Sequence, residues 1–392
     1  MKNILVIATY FPPMGGVGTV RVKKFVKYLN NYDWQPTVIT VNEKFLKNID
    51  ENLMEEIPKN VDVKRIDFNS NKPDISFDFC KALKKQLQKI ITEKKYNCVF
   101  VTGGPFYIIP IAKYIYKKYK IPYIIDLRDP WKLQLIDNST LYSKVKGNIK
   151  KYVKGLYEKS CFKYASAICT VNDTMTNEYK LEYKKYADKF YTISNGYDLD
   201  DYKSIKAKKL DGVNITYTGK FETSAGFRNP KILFKALAKI NSNRKQKINF
   251  IHVGEKEKIV SEIAEEEKCI DFCKFVGFKK FDEAISYCKG SDILIAICGK
   301  QKIEQTGKIF DYVCCNRPII VVSTGKSEID EVCKKFKNIY HVKHDDYESM
   351  IKTILKIIDE KVKMETNNLE NNDYSRYALT GQLVKILNKL GD

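Results

Sequence analysis

Long apolar runs, arginine and histidine are all scarce in this sequence, and each scarcity narrows the range of functions. The longest apolar segments, such as residues 293–298 and 106–112, stop well short of the roughly 18–20 residues that cross a bilayer. We therefore predict no membrane-spanning helix. The apolar stretch at residues 4–8 is too short for a signal peptide and runs into Pro12-Pro13, so we interpret it as a buried first strand.

The charge balance is strongly basic. Of 392 residues, 69 are Lys or Arg and 48 are Asp or Glu, which gives a formal net charge of +21. Such a net positive charge attracts polyanions, among them nucleic acid, anionic lipid and phosphorylated small molecules. Only seven of the basic residues are arginine, whose bidentate fork reads bases, so the composition argues against nucleic acid. A lysine excess is also what a genome of low GC content produces.

Metal ligands do not occur at metal-site spacing. The eleven cysteines are odd in number and lie mostly inside apolar segments, which indicates buried thiols in a reducing, cytoplasmic compartment. Neither pair of nearby cysteines has a second pair or one of the three histidines at zinc-site spacing. We expect no metal and no bound cofactor.

Short apolar runs alternate with amphipathic segments twice along the chain. Strands that are apolar on both faces and separated by helices predict parallel sheets covered by helices on both sides. We therefore expect an α/β protein with two Rossmann-like, doubly wound domains facing each other across a cleft. The predicted domains are residues 1–200 and 206–372, with a C-terminal helix at residues 374–392 that crosses back to the first domain.

A glycine cluster follows the first predicted strand. Gly15, Gly16 and Gly18 precede a helix that starts near residue 20. Glycines between a strand and a helix N-terminus let backbone amides approach an anion, which predicts a diphosphate site. The spacing is not that of the dinucleotide fingerprint, so a nicotinamide site is disfavoured. A tight turn that binds nothing remains the alternative.

The second half of the chain carries two further candidate groups. Lys220 and Arg228 flank a strand end and would neutralise a departing diphosphate. Thr306, Gly307 and Lys308 open a later helix as a second anion cradle, and the carboxylate of Asp311 can accept hydrogen bonds from sugar hydroxyls. The alternatives are a solvated Lys220, an ordinary N-cap at Thr306 and a first-turn acid at Asp311.

Taken together, these motifs resemble glycosyltransferase family 4, which has the GT-B fold. The resemblance rests on five motifs in this order, which occupy residues 10–18, 126–131, 195–198, 217–219 and 307–319. It implies a retaining, metal-independent transferase that uses a nucleotide sugar, with uridine as the preferred base. It also implies that the glycine loop and the turn at Thr306 and Gly307 embrace the donor, with Asp311 on the ribose.

Two residues are carried over to the acceptor side on the same resemblance. Arg128 and Asp129 occupy the place of a family histidine, and their alternative is a structural ion pair above Trp131. The first acid of the family's paired motif should stand at Ile303, whereas Glu304 follows one residue later.

The segment 142–163 predicts an amphipathic helix with a cationic face. One interpretation is that it rests on an anionic membrane and brings a cytoplasmic enzyme to its acceptor, as a peripheral protein of the inner membrane face. The other is a solvated outer face of a core helix.

We therefore predict a glycosyltransferase that moves a sugar to a glycan or lipid-linked acceptor in cell-surface polysaccharide synthesis. Two alternatives are a noncatalytic polyanion-binding protein of this fold and a nucleotide-sugar epimerase of this fold.

Overall fold

The computed structural model describes residues 1–45, 49–72, 74–132, 141–223, 226–299, 306–360, 364–370 and 372–390. They form two compact units. The first unit comprises Met1–Asn195 together with Arg376–Asp392, and the second comprises Gly196–Ser375.

The first unit contains a parallel sheet. Its described strands are β1 (Lys2–Ile7), β2 (Trp34–Val41), β3 (Asp62–Ile66), β4 (Cys98–Thr102), β5 (Tyr123–Leu127), β6 (Ala167–Thr170) and β7 (Phe190–Thr192). Its described helices in this stretch are α1 (Val17–Leu29), α2 (Asn52–Glu55), α3 (Ser76–Glu93), α4 (Pro110–Tyr119), α5 (Leu141–Tyr164) and α6 (Asp173–Glu182), and a 3₁₀ helix covers Lys184–Lys189. The strands pair in the order β3-β2-β1-β4-β5-β6-β7.

The second unit repeats this plan. Its described strands are β8 (Val213–Thr218), β9 (Glu222–Thr223), β10 (Gly226–Phe227), β11 (Ile248–Val253), β12 (Cys273–Phe275), β13 (Ile293–Ile297), β14 (Ile319–Ser323) and β15 (Ile339–Lys343). Its described helices are α7 (Asp200–Lys203), α8 (Lys231–Ser242), α9 (Lys258–Glu266), α10 (Phe281–Gly290), α11 (Lys308–Val313), α12 (Glu328–Cys333) and α13 (Tyr347–Asp359). The main sheet has the order β12-β11-β8-β13-β14-β15, and β9 and β10 form a separate hairpin.

The central strands are buried on both faces because helices cover both sides of each sheet. In β13, Ile293 and Ile295 lie in one apolar cluster, whereas Leu294 and Ala296 lie in another on the opposite face. Successive side chains of a strand point to opposite faces, so a strand that is apolar throughout needs a layer on each side. The predicted fold of two Rossmann-like parallel-sheet domains is confirmed.

The last helix, α14 (Arg376–Lys389), belongs to the first unit. Leu379, Leu383 and Leu387 are buried in the same cluster as Phe25 and Leu29 of α1. Their spacing of four residues places them on one face of the helix. Helix α14 therefore covers α1, and this part of the core is made from both ends of the chain.

The second unit begins and ends at neighbouring positions. Tyr197 forms a parallel bridge with Ser375. The hydroxyl of Tyr197 also donates to the carbonyl of Leu369, at 2.9 Å. The second unit is thus inserted into the first through two adjacent chain segments.

Candidate functional site

The carboxyl ends of β8 and β13 are neighbours at the point where the strand order of the second sheet reverses. In doubly wound sheets the chain leaves such strands toward opposite faces and opens a crevice where ligands bind. Gly219 and Lys220 directly follow β8, and Thr306 lies in the connection from β13 to α11. The structure thus places these predicted site residues at the switch point of the unit.

The main chain around Lys220 is held by side chains from neighbouring strands. The carbonyl of Gly219 lies 2.8 Å from Nε2 of His252, and since a carbonyl only accepts, we place the His252 proton on Nε2. The hydroxyl of Tyr217 donates to the carbonyl of Lys220, at 2.9 Å. A Cβ at Gly254 would lie 2.5 Å from the Gly219 oxygen, so this position requires glycine. The turn is therefore set by packing.

Tyr217 contacts all the basic residues predicted for this unit. Its ring stacks on Phe221 with centroids 4.1 Å apart, and Nζ of Lys308 lies 3.7 Å from its ring centroid. Burial raises the pKa of Tyr217, and the nearby Arg228 guanidinium opposes that shift in part through charge and a hydrogen bond. Tyr217 therefore remains a neutral phenol that contacts the main chain of Lys220 and the side chains of Arg228 and Lys308.

The ammonium of Lys220 lies on a carboxylate. Its Nζ is 2.5 Å from Oε2 of Glu255, and 56% and 59% of the two side chains are exposed. The hydrogen bond to Glu255 raises the pKa of Lys220. Exposed ion pairs contribute little to stability and are weakened by salt. The pair between Glu255 and Lys220 is therefore weak.

Asp311 lies one turn inside α11 and has a partner from the start of the unit. The hydroxyl of Tyr202 donates to Oδ1 of Asp311, at 2.6 Å. Burial, together with the Asp311 carboxylate, raises the pKa of Tyr202, so its hydroxyl keeps the proton. In the next position, the hydroxyl of Tyr312 accepts the N–H of Thr218, at 2.9 Å. Helix α11 is thereby fixed to the end of β8.

Gly307, not Thr306, is the N-cap of α11, and no side chain caps it within the described residues. Thr306 is buried and Gly307 is exposed. The alternative that Thr306 is an ordinary N-cap is therefore wrong, whereas its predicted contact with a donor stays a prediction. Residues 300–305, which include Ile303 and Glu304, lie outside the described part of the chain.

In the first unit, the predicted glycine loop leads directly into α1. Gly16 is the N-cap, with a φ of 101°, in the left-handed region that favours glycine. A Cβ at Gly16 would meet no heavy atom within 4 Å, and Gly15 and Gly18 beside it are half-buried. The space in front of the N-terminus of α1 is therefore open at Gly16. That geometry suits an anion, and a donor contact there stays a prediction.

Arg128 joins a loop of the first unit to the start of α1. Its guanidinium donates to the carbonyls of Gly103 and Gly104, both at 2.8 Å, and to the carbonyl of Gly18. Burial lowers the pKa of Arg128. The next residue, Asp129, is exposed, and Trp131 is buried. Arg128 thus joins the loop after β4 to the first turn of α1, while a direct acceptor contact of Arg128 or Asp129 stays a prediction.

Sequence reasoning gave no supporting role to Tyr202, Tyr217, His252, Glu257 or Tyr312, although Tyr217 and Tyr312 lie inside two of the motifs named above. His252 carried a weak signal, since it is one of only three histidines and lies two residues before Gly254 at a strand end. Tyr202, Glu257 and Tyr312 act through contacts between distant parts of the chain, which the motifs do not reveal.

Residues 200–376 match the family model described as "Glycosyl transferases group 1". This range nearly coincides with the second unit. No protein of curated function matches the sequence significantly.

Solved structures share the fold over the whole chain. A glycosyltransferase from Rickettsia africae aligns with a TM-score of 0.63 at 16% identity, covering 99% of this chain and 98% of the other. Anabaena HepE, solved with UDP and glucose, aligns with a TM-score of 0.65 at 12% identity, covering 99% and 100%. The UDP-GlcNAc 2-epimerase of Methanocaldococcus jannaschii aligns with a TM-score of 0.58 at 12% identity, covering 99% and 100%.

At these identities the structural likeness establishes the fold alone. The second unit of this chain therefore matches the glycosyltransferase group 1 family, on a two-domain fold shared by glycosyltransferases and nucleotide-sugar epimerases.

Proposed function

We propose that the chain is a retaining, metal-independent glycosyltransferase that takes its sugar from a nucleotide diphosphate donor, with UDP preferred. Its acceptor is a glycan or a lipid-linked glycan of a cell-surface polysaccharide. The observation that carries the proposal is the switch point of the second unit. There Tyr217 contacts the main chain of Lys220 and the cationic side chains of Arg228 and Lys308, within the segment that matches the family.

The proposed chemistry needs little beyond position and charge. When the bond between the sugar and the diphosphate breaks, negative charge grows on the leaving oxygen, and preorganised cations lower the barrier. Lys220 and Arg228 would supply that charge. The leaving phosphate itself would take the proton of the incoming hydroxyl from the same face, which keeps the anomeric configuration.

The first test is incubation with radiolabelled UDP-, GDP- and ADP-sugars in the presence of EDTA. Transfer to an added acceptor, or slow donor hydrolysis, is the expected result, and NMR of the product gives its anomeric configuration. A thermal-shift screen of the free nucleotides identifies the base, because a ligand that binds only the folded state stabilises it by mass action. Binding without any turnover would instead support a noncatalytic protein of this fold.

A second candidate is a nucleotide-sugar epimerase, which is favoured by the epimerases among the structural neighbours. The same incubation separates the two activities. An epimerase converts the donor into another nucleotide sugar and releases no labelled sugar to an acceptor.

The membrane contact is proposed for the C-terminal half of α5. Four large apolar side chains of this helix are exposed there, namely Tyr152, Val153, Leu156 and Tyr157. Beside them is a groove of about 350 Å³ whose lining includes Lys132, Lys159, Lys184 and Lys185 against Glu182. Apolar and cationic side chains on one surface suit the anionic inner leaflet of a membrane. Among the described helices, none is long and apolar enough to span a bilayer.

Vesicle sedimentation tests this contact. Vesicles of phosphatidylcholine with phosphatidylglycerol should retain the protein at low salt, and phosphatidylcholine alone should not. The double change Tyr152→Ser and Leu156→Ser should reduce retention, whereas Phe278→Ser, an equally exposed position in the second unit, should not. Failure of the anionic vesicles to retain the protein would refute peripheral attachment.

A further inference from the structure

The turn after β11 contributes two glutamates to the loop that carries Lys220. We call residues 219–222 the Lys220 loop. Oε1 of Glu257 accepts the N–H of Phe221 and its Oε2 accepts the N–H of Glu222, both at 2.7 Å. Oε2 of Glu255 lies 2.5 Å from Nζ of Lys220. Two acids two positions apart thus bind the same loop, one through its main chain and one through its cationic side chain.

The two contacts differ in kind. Glu257 is the N-cap residue of α9, but its side chain does not cap that helix. Its carboxylate instead accepts two consecutive amides of the Lys220 loop, and such charge-assisted bonds are short and strong. The pair between Glu255 and Lys220 is more than half exposed, so water and salt compete with it.

Glu257 also acts on Arg228 through the main chain. Phe221 donates its N–H to Glu257 and accepts the N–H of Arg228 at its carbonyl, at 2.9 Å for the second bond. With Tyr217 holding the carbonyl of Lys220, the main chain at both basic residues is tied to fixed groups. Loss of Glu257 would release the segment that carries both cations.

We propose that Glu257 and Glu255 act on the Lys220 loop in opposite senses. Glu257 is a positioning residue that holds Lys220 and Arg228 ready for a diphosphate. Glu255 occupies Lys220 when no ligand is bound, and a diphosphate must displace it. The inference rests on the proposed function and adds to it the residues that set the affinity for the leaving group.

The test is titration calorimetry with inorganic pyrophosphate and with UDP. Glu255→Gln frees Lys220 and should tighten binding of both probes about threefold. Glu257→Ala should weaken binding about tenfold, because the loop must then be ordered on binding. Glu257→Gln keeps one acceptor oxygen and should recover part of that loss.

Glu262→Gln is the control for the change in net charge that Glu255→Gln makes. Glu262 lies on α9 and pairs with Lys258 instead, so its neutralisation changes the net charge equally. Its effect on pyrophosphate binding should be negligible. If Glu262→Gln tightens binding as much as Glu255→Gln does, the proposed competition for Lys220 is overturned.

Amide hydrogen exchange tests Glu257 without any ligand. In Glu257→Ala the amides of Phe221 and Glu222 should lose protection, while amides of β8 and β13 keep theirs. Uniform loss of protection across the second unit would show a merely structural role and overturn the positioning role.

The inference and the proposed function can fail separately. Opposite effects of the two variants on pyrophosphate binding, with no turnover of any nucleotide sugar, would keep the inference and refute the transferase. Turnover of a nucleotide sugar, with equal effects of both variants on pyrophosphate binding, would keep the transferase and refute the inference. If neither the wild-type protein nor Glu255→Gln binds pyrophosphate or UDP, the role of Glu255 is refuted.

Discussion

The carboxylate of Asp311 is bound by a tyrosine that precedes it by 109 positions. Because the raised pKa of Tyr202 keeps its hydroxyl protonated, the bond persists across the physiological range and limits rotation of the carboxylate. A family motif selects Asp311 from the sequence, and its contact with the ribose stays a prediction. Tyr202 could not be predicted, because its role depends on α7 folding against α11.

Arg228 is expected to act on turnover with little effect on stability. Arg228→Ala removes one preorganised donor from the leaving diphosphate, and such a loss lowers kcat by about 10²–10³. Radiolabelled transfer measures the rate, and the melting temperature should stay nearly unchanged. Arg244→Ala is the matched control, since Arg244 pairs with Asp359 in the same unit. A large drop in melting temperature for Arg228→Ala would assign that residue to the architecture.

His252 is expected to make the stability depend on pH. Burial lowers the pKa of His252 below its usual 6.5, so the folded state favours the neutral ring. As the pH falls below about 6.5, the unfolded state binds the proton more readily, and the free energy of unfolding decreases. Urea unfolding at pH 8, 7, 6 and 5 measures this slope. His252→Asn should flatten it, and an unchanged slope would contradict the assignment.

At the scale of the secondary-structure elements, one buried ion pair joins three parts of the first unit. The guanidinium of Arg21 on α1 donates to the carboxylate of Asp126 at the end of β5, at 2.9 Å, and both side chains are almost fully buried. Arg21 also donates to the carbonyls of Ile193 and Ser194, at 2.8 and 2.7 Å. This pair thus joins α1, β5 and the segment after β7.

Removing one member of this pair should be costly. Asp126→Ala leaves the Arg21 charge buried without its carboxylate, which costs about 3–5 kcal/mol of unfolding free energy. Urea unfolding followed by circular dichroism gives the value. The double change Arg21→Met with Asp126→Leu should recover much of the loss, because no charge is then buried. A loss below about 1 kcal/mol for Asp126→Ala would contradict a buried role.

At the scale of the whole molecule, both sheets follow one strand order. Taken in chain order within each main sheet, the first six strands have the order 3-2-1-4-5-6 in both units. The sequence predicted the strands with long apolar runs, such as β1 and β13. It did not predict β6 and β7, which have four and three residues and are held in the sheet by pairing, β6 with β5 and β7 with β6. The support of the Lys220 loop could not be predicted either, since Glu257 binds a loop 35 positions away.

Helix α14 is expected to be essential to the first unit. A stop after Ser375 removes Leu379, Leu383 and Leu387 together with the rest of α14 and uncovers Phe25 and Leu29 on α1. Each buried leucine that is lost is worth about 1.5–3 kcal/mol. Calorimetry should show the first unit melting far earlier while the second keeps its transition. A stop after Leu390 is the control. If the protein that stops after Ser375 melts in the same transitions as the full chain, the assignment of α14 to the core of the first unit is contradicted.

The bridge between Tyr197 and Ser375 has a consequence for synthesis on the ribosome. Since the second unit is contiguous, it can fold as soon as its last strand and helix have emerged, during translation. The nascent first unit must wait, with the apolar stripe of α1 uncovered, until residues 376–389 leave the exit tunnel. Slow translation or an early stop would therefore leave a folded second unit attached to an incompletely folded first unit. The exposed apolar surface of that first unit is prone to aggregation and must be bound by chaperones.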